Sequence, residues 1–521
     1  MKKGFPLLFL ASMVSLRAGD LDTIGVTVLR QVDPTLNGSG VKVAQPEAAS
    51  VGGTDFEVNP TNSHVGQSTN LFTYISSSGT ATNFPNSVGV ESGHADLVGA
   101  NFYGVFLGAA TNVSHVYNYD AEYFFNNIIN ATFPLAMPVR VVNQSFAFAT
   151  NDESVVDPAY DDYAASSNTI FASAVGNDSS LVYPPGTCYN SIAVGVYGTS
   201  SGTGPTADGR CKPDITAPDL ADAPLGGEAN SYSIPYVAGA AAVLVQAANR
   251  GDGGSNTNAA SDLRTIKALL LNGAVKPNGW TNGTATPLDA RYGAGLVNVF
   301  NSWNQMKGGQ HAFIESSTVS SGNAHPPGAN TNNEPTLVGW DYNSISTTPS
   351  QDTVNHYYFN LPGGNAFTLT ATLVWNKQYK ATNINNLNLF LYNAANSNLV
   401  TCSTSMVDNV EHIFLPTLAP GRYDLQVLKR GSVTQVSAAE TNALAFEIFN
   451  MPLSVSLTNS NVVISWPVAP TGFQLQSAAS LNPPISWATV TNTVSISDSQ
   501  NVVTMPVGGG NQFFRLNRPA F

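Results

Sequence analysis

The segment SYSIPYVAGAAAVLVQ, residues 231–246, indicates the kind of fold. From Val237 to Val245 its positions are apolar or small on every side, which is typical of a helix buried along its whole length. Pro235 falls in the first turn, where a missing backbone N–H costs nothing. The segment therefore predicts a core helix with Ser231 at its mouth.

Around this helix the chain changes character near residue 310. Before it, short β-branched runs such as VRVVNQSF alternate with Ala-rich helical segments, which predicts an α/β fold with a largely parallel sheet covered on both faces. After it, period-two runs such as FTLTATLVW and GRYDLQVLK predict two antiparallel β-sandwiches that join near residue 450. We expect domains at 19–310, 311–449 and 450–521.

Composition limits the classes of function. The 521 residues carry a net charge of -13, which argues against a nucleic-acid partner. Residues 1–18 place two lysines before an apolar run and end in Ala18, the pattern of a secretory signal peptide. No later stretch reaches eighteen uninterrupted apolar residues, so we expect no membrane span. The sequence thus predicts an exported protein, extracellular or periplasmic, that is soluble and monomeric.

Ser231 has two interpretations at this point. It is either the N-cap of the core helix or a nucleophile placed where the helix dipole favours developing negative charge. A serine nucleophile needs a base, and the histidines that precede it here are His64, His94 and His115. His94 alone is followed by an Ala/Val/Gly-rich stretch that predicts a helix start against a tight contact.

Several segments, in their order along the chain, resemble the subtilisin-like serine peptidases, or subtilases. The resemblance covers about residues 24–305 and is carried by VVNQSF (141–146), ASAVGND (172–178), GPTADGR (204–210), KPDITAP (212–218), SYSIPYVAGAAA (231–242) and YGAGLVN (292–298). It implies a three-layer subtilisin-like domain and a serine endopeptidase acting on proteins or peptides.

The resemblance assigns a role to four residues. Ser231 falls on the nucleophile of the family, His94 on its base and Asn177 on the side-chain amide of the oxyanion hole. Ser145 falls on the edge segment that pairs with the substrate backbone. Asn177 also has a simpler interpretation, because the sequence GNDS around it is typical of an ordinary turn.

The acidic member of the site departs from the family. The strand VKVAQPEA (41–48) places Glu47 where subtilases carry an aspartate. Alternatively, Pro46 ends the strand early, Glu47 lies on a solvated loop, and Asp55 supplies the carboxylate. Glu47 is preferred because it falls on the family position.

Other departures keep a second class of function open. Ala229 and Asn230 replace the usual Gly-Thr before the serine, so an inactive subtilase fold serving as a binding or adhesive surface protein is the alternative. Nothing in the sequence requires a cofactor or shows a metal-ligand spacing. Subtilases often carry structural calcium, and Asp/Asn-rich loops here offer oxygen ligands without a recognisable calcium loop.

The remaining features concern cysteines and the β half. The chain has three cysteines, and a disulfide between Cys188 and Cys211 is the pairing that the N-terminal half allows. Residues 311–449 resemble the jelly-roll-like β-sandwich appended to some subtilases. Residues 450–521 resemble a fibronectin type III-like module of secreted bacterial hydrolases.

Overall fold

The computed structural model describes residues 19–132, 134–198, 201–219, 229–320, 335–431, 436–497, 500–508 and 510–517. The signal peptide expected at 1–18 lies outside the described residues. Three regions follow one another along the chain, and we propose the ranges 19–310, 311–449 and 450–521 for them. They are called the N-terminal domain, the first β-region and the second β-region below.

The N-terminal domain is built on a sheet that has eight strands within the described residues, in the order β10-β9-β8-β7-β1-β6-β3-β4. All neighbouring pairs are parallel except β3 with β4. A separate ribbon pairs β2 with β5. The strands are β1 (Lys42–Glu47), β2 (Asp55–Glu57), β3 (Phe72–Ser76), β4 (Gly79–Ala81), β5 (Val90–Glu91), β6 (His115–Asp120), β7 (Val141–Gln144), β8 (Ile170–Ala174), β9 (Ile192–Tyr197) and β10 (Ile215–Pro218).

Helices pack on this sheet, and the predicted α/β fold is confirmed. The helices are α1 (Asp20–Thr23), α2 (Val26–Val32), α3 (Gly93–Phe102), α4 (Ala121–Phe124), α5 (Glu153–Ser167), α6 (Ile234–Arg250), α7 (Thr257–Ala260), α8 (Leu263–Asn272) and α9 (Val299–Lys307). The core helix expected from the sequence is α6, which is buried on all sides from Ile234 to Val245.

The same helix also passes a simple test for a membrane span. Among the described residues, the helical stretch Asn230–Arg250 is long and apolar enough to cross a bilayer by length and composition, with a mean hydropathy of 1.2. Of the 18-residue apolar window in this stretch, 83% is buried inside the protein. Its apolar character is therefore explained by packing in the core of the N-terminal domain.

The first β-region is antiparallel, as predicted. Its described strands form a five-stranded sheet, β11-β13-β18-β15-β16, and a four-stranded sheet, β12-β19-β14-β17, which share one hydrophobic core. The strands are β11 (Glu315–Ser320), β12 (Val338–Ser346), β13 (Gln351–Leu361), β14 (Phe367–Trp375), β15 (Leu387–Asn393), β16 (Leu399–Ser403), β17 (Val410–Leu418), β18 (Gly421–Lys429) and β19 (Ala439–Phe449).

The second β-region is smaller and is also all-β. In its described residues, β20-β21-β25-β24 form one sheet and β23-β22-β26 another, around a core that includes Ile464 and Trp466. The strands are β20 (Ser454–Thr458), β21 (Asn461–Pro467), β22 (Gln474–Ala478), β23 (Ala488–Thr489), β24 (Ser495–Ser497), β25 (Gln500–Pro506) and β26 (Phe513–Asn517). The jelly-roll-like and fibronectin type III-like types stay predictions.

The first β-region packs closely on the N-terminal domain. Helix α8 lies against β14 and β19, and one hydrophobic core joins Met306 with Trp340 and Val374. Polar groups are buried there too: Lys377 Nζ lies 3.4 Å from Asp161 Oδ2. The two regions therefore share an interior rather than meeting through a thin contact.

The connection between them is held in place by backbone hydrogen bonds. After α9, the N–H of Trp340 donates to the carbonyl of Gly309 at 3.1 Å, and the N–H of His311 donates to the carbonyl of Trp340 at 2.7 Å. The indole of Trp340 also donates to the carbonyl of Met306 at 3.1 Å. Gly308 and Gly309 thus end the helix in a turn, and Gln310 then forms an isolated parallel bridge with Trp340.

The expected Cys188–Cys211 disulfide is corrected by the structure, in which both residues are buried free thiols. Each is held by a different neighbour. The Cys188 thiol donates to Asp157 Oδ1 at 3.3 Å, whereas the N–H of Cys211 donates to Asp408 Oδ1 at 2.8 Å. Burial raises the pKa of the Cys211 thiol to about 12, so it stays protonated.

Glu440 in β19 leads to a prediction about stability and pH. Its Oε2 accepts from Asn385 and Gln378 at 2.7 and 2.8 Å, and burial raises its pKa from 4.5 to about 7. Between these pH values the folded protein holds a proton that the unfolded chain has lost, so the free energy of unfolding falls as pH rises. Glu440→Gln, which keeps an acceptor for both amides, should remove this contribution of about 3 kcal/mol.

Chemical denaturation of both proteins at pH 4 and pH 8 measures the effect. We expect nearly equal stability at pH 4 and a more stable variant at pH 8. Equal differences at the two pH values would contradict the assignment of this titration to Glu440.

Candidate active site

Strand β1 is an interior strand of the sheet and ends with Glu47. Pro46 does not end the strand, because Pro46 pairs in parallel register with Tyr119 and Glu47 with Asp120. On its other side, β1 pairs with β7 only through Val43 and Ala44, so Pro46 borders a neighbouring strand on one side, a position that tolerates a missing N–H. Glu47 is buried, with 2% of its surface exposed.

His94 lies in the first turn of α3, opposite this carboxylate. Its Nδ1 is 2.5 Å from Glu47 Oε1. The start of the helix is fixed in two ways: Ser92 Oγ accepts from the N–H of Ala95, and Gln45 Nε2 donates to the carbonyl of Ala95 at 2.9 Å. The histidine is therefore held at hydrogen-bonding distance from the end of β1.

The carboxylate changes the acidity of the imidazole. Burial lowers the pKa of His94, but the hydrogen bond to Glu47 and the charge of Glu47 raise it more. The net result is a His94 pKa above its ordinary value. Such an imidazole is a stronger base than a free histidine and is stabilised when it takes up a proton.

Ser231 lies beside this pair, in the short 3-10 helix Asn230–Tyr232 that precedes α6. The ring of Tyr232, the next residue, lies 5.6 Å from the His94 ring between centroids. Asn101 Nδ2, on the same helix as His94, donates to the carbonyl of Tyr232 at 3.0 Å. These contacts tie the serine segment to the histidine helix.

The Ser231 side chain does not cap the core helix. Helix α6 begins at Ile234, and the residue before it, Ser233, makes no side-chain cap. Ser231 Oγ instead donates to the carbonyl of Ser145 at 3.2 Å, and Ser145 Oγ donates to the carbonyl of Ser231 at 2.8 Å. In this structure the Ser231 hydroxyl is thus turned to Ser145, with no hydrogen bond to His94.

Asn177 follows β8 and faces the serine segment. Its Oδ1 accepts the backbone N–H of Asn230 at 2.8 Å, while the residue itself is exposed. This bond uses the carboxamide oxygen and leaves the NH2 group for a ligand. The structure therefore brings Asn177, Ser231, His94 and Glu47 into one neighbourhood.

Asp55, the other candidate acid, lies elsewhere. Its Oδ1 accepts from the N–H of Ser50 at 3.0 Å and from the Ser50 hydroxyl at 2.6 Å. These bonds close a local loop and do not involve His94. No group of three or more His, Cys, Asp or Glu side chains in the described part of the chain is arranged to hold a metal ion.

Sequence reasoning missed three residues that organise the site, namely Gln45, Asn101 and Tyr232. Asn101 had a detectable signal, because it stands seven residues after His94 and therefore on the same face of α3. The hydroxyl of Tyr103 donates to Gln45 Oε1 at 2.6 Å, which fixes the amide that holds the helix start.

The N-terminal domain thus combines a mostly parallel α/β sheet with a serine, a histidine and a buried carboxylate that lie near one another. Residues 79–295 match the model of the subtilase family, peptidase S8, so the chain carries a subtilase domain. The matched range includes His94, Ser145, Asn177 and Ser231 and begins after Glu47.

The chain is similar to a serine protease of Aeromonas sobria in complex with its chaperone, at 13% identity, covering 92% of this chain and 88% of that chain with a TM-score of 0.36. It is also similar to tripeptidyl peptidase 2, at 12% identity, covering 75% of this chain and 44% of that chain with a TM-score of 0.31. No curated protein sequence matches the chain.

Proposed function

We propose that the protein is a secreted, monomeric serine endopeptidase that uses Ser231, His94 and Glu47 as its catalytic residues. The subtilase domain supports a serine peptidase in general terms. The single observation that carries the finer assignment is the 2.5 Å contact between His94 Nδ1 and the buried Glu47, beside Ser231. The mechanism needs no cofactor, and bound calcium would serve stability.

The chemistry follows from these positions. The Ser231 hydroxyl turns from Ser145 to His94, and its oxygen attacks the carbonyl carbon of the scissile bond while its proton passes to Nε2 of His94. His94 returns that proton to the leaving amine, and a water molecule then hydrolyses the acyl-enzyme. Glu47 keeps the Nδ1–H tautomer in place and stabilises the imidazolium.

The oxyanion that forms in both steps needs hydrogen-bond donors. The NH2 group of Asn177 and the backbone N–H of Ser231 supply them in this proposal. Because the Asn177 oxygen is already bonded to Asn230, the amide is oriented before substrate binds. Preorganised donors of this kind act without a cost of reorientation during the reaction.

A cavity next to the site supports a polypeptide substrate. It has a volume of about 520 Å³ and lies between the residues that follow Glu47 and those that follow Ser145. The rings of Phe125, Phe146 and Phe148 contribute to its wall. An apolar substrate side chain near the cleaved bond would fill this space and lose its contact with water.

Labelling with a fluorophosphonate probe tests the proposal. We expect one phosphonyl group on Ser231 of the folded protein, mapped by mass spectrometry of its peptides, and cleavage of internally quenched peptides. Folded protein that carries no adduct and cleaves no peptide would support the alternative, an inactive binding protein.

The labelling needs a matched control, because the first β-region contains a similar arrangement. Ser317 Oγ lies 2.6 Å from His356 Nε2, and His356 Nδ1 lies 2.9 Å from Asp424 Oδ2. We expect Ser317→Ala to label like the wild type and Ser231→Ala not to label. Adduct that persists in Ser231→Ala would contradict the assignment.

Asn177→Ala should separate transition-state stabilisation from substrate binding. Loss of one oxyanion donor lowers kcat by about 10² to 10³-fold in a subtilisin, and we expect a similar loss here with little change in KM. Asn177→Asp is the matched variant, because it keeps an acceptor for the N–H of Asn230 but has no NH2 group. Steady-state kinetics should show both variants impaired in kcat, and an effect mainly on KM would contradict the role.

A further inference from the structure

Asn230, the residue before Ser231, is hydrogen-bonded on three sides. Its backbone N–H donates to Asn177 Oδ1 at 2.8 Å. Its side-chain Oδ1 accepts the backbone N–H of Gly176 at 3.0 Å, and its Nδ2 donates to the carbonyl of Val194 in β9 at 2.7 Å. Only 1% of its surface is exposed. One residue thus joins the serine segment, the Asn177 loop and the sheet.

These bonds form a reciprocal clamp around the Asn177 loop. The main chain of Asn230 fixes the carboxamide of Asn177. The side chain of Asn230 fixes Gly176, the residue that precedes Asn177. Gly176 has a φ of 94°, and a Cβ added there would lie 2.6 Å from the ring of Tyr183. The loop therefore has a conformation that glycine permits and that Asn230 holds in place.

The side chain at this position must carry a donor and an acceptor at separate ends. A carboxamide has both in one rigid plane, so it can bond Gly176 and Val194 simultaneously. A hydroxyl, as in the threonine that subtilases usually have here, offers a single oxygen for both tasks. Because Asn230 is buried, either group left unpaired would cost free energy.

We infer that Asn230 is a positioning residue that aligns the NH2 group of Asn177 with the backbone N–H of Ser231. This inference rests on the proposed function, since it concerns the oxyanion hole of that reaction. Asn230 itself touches no substrate; it acts through Asn177. Misplacement of a reacting group by about 1 Å can cost about 10²-fold in rate, so loss of this alignment should lower kcat by a measurable factor.

A double-mutant cycle tests the inference. We expect Asn230→Ala to lower kcat by about 10²-fold with KM unchanged. In an Asn177→Ala background the same change should cost little more, because the donor that Asn230 positions is already gone. Losses that multiply in the double variant, or a loss confined to KM, would overturn the inference.

A second variant covers the case in which Asn230→Ala fails to fold. Asn230→Thr, measured in the same cycle, keeps a buried polar group and should have an intermediate kcat. Thermal unfolding of every variant identifies a loss that comes from unfolded protein. If the wild type itself neither cleaves peptides nor labels at Ser231, the proposed function fails; if it does both and the cycle is additive, only the role of Asn230 fails.

Discussion

Ser231→Ala and His94→Ala should each reduce kcat by about 10⁶-fold, and the double variant should lose little more than either alone. The reason is that the two side chains act as one unit. Without the serine oxygen there is no nucleophile, and without the imidazole no group accepts its proton. The remaining activity would come from the oxyanion donors and substrate binding alone.

Matched variants are available for both residues. Ser233→Ala removes a buried hydroxyl two residues further on, and His64→Ala removes a histidine whose Nδ1 lies 3.1 Å from Asn62 Oδ1, outside the site. We expect near wild-type kcat for these two. Single losses that multiply in the Ser231→Ala/His94→Ala double variant would contradict a shared mechanism, as would full activity in either single variant.

Glu47→Gln should reduce kcat by about 10⁴-fold while leaving the fold intact. The amide has the same shape as the carboxylate but no charge, and its NH2 group can face Nδ1 of His94. The imidazole then adopts the wrong tautomer and its protonated form loses a stabilising partner. Glu47→Asp should be impaired less, because it keeps the charge and changes only the distance to His94.

Glu47→Gln should also change the dependence of kcat/KM on pH. His94 accepts a proton only when it is neutral, so kcat/KM falls as the pH drops through the raised pKa of His94. Glu47→Gln removes the charge that raises this pKa, and we expect the acidic limb to move to lower pH. Asp55→Asn is the matched control and should have normal activity. Normal activity in Glu47→Gln, together with loss in Asp55→Asn, would reverse the assignment.

The sequence was most informative where local patterns reflect packing. The α/β fold followed from alternating strand and helix patterns, and α6 followed from an uninterrupted apolar stretch. His94 and Ser231 were found by resemblance, and the structure places them close together. Glu47 was harder, because Pro46 suggested an early end to the strand. Only the strand pairing shows that β1 borders β7 at Val43 and Ala44 alone.

Other features depend on tertiary contacts that the sequence does not contain. Nothing in the sequence around Asn230 indicates that its side chain reaches both Gly176 and Val194. The expected disulfide was wrong because an exported context and the presence of two cysteines in one domain do not bring their sulfur atoms together. The contact of α8 with the first β-region is indicated by the sequence. Leu269, Leu270 and Leu271 follow one another in one helix, so apolar side chains point to several sides of it and must be buried by neighbouring elements.

The pairing of residues 309–311 with Trp340 has a consequence for the lifetime of the molecule. Under the proposed function each molecule meets other copies of the same secreted peptidase, and a segment that joins two folded regions is a site where such copies would cut. Here the connection is occupied by hydrogen bonds to Trp340 on both sides of Gln310. A second molecule could bind this segment in its active site only after the N-terminal domain and the first β-region had separated locally. Self-digestion at this point is therefore limited by how often that opening occurs, and not by how often two molecules collide.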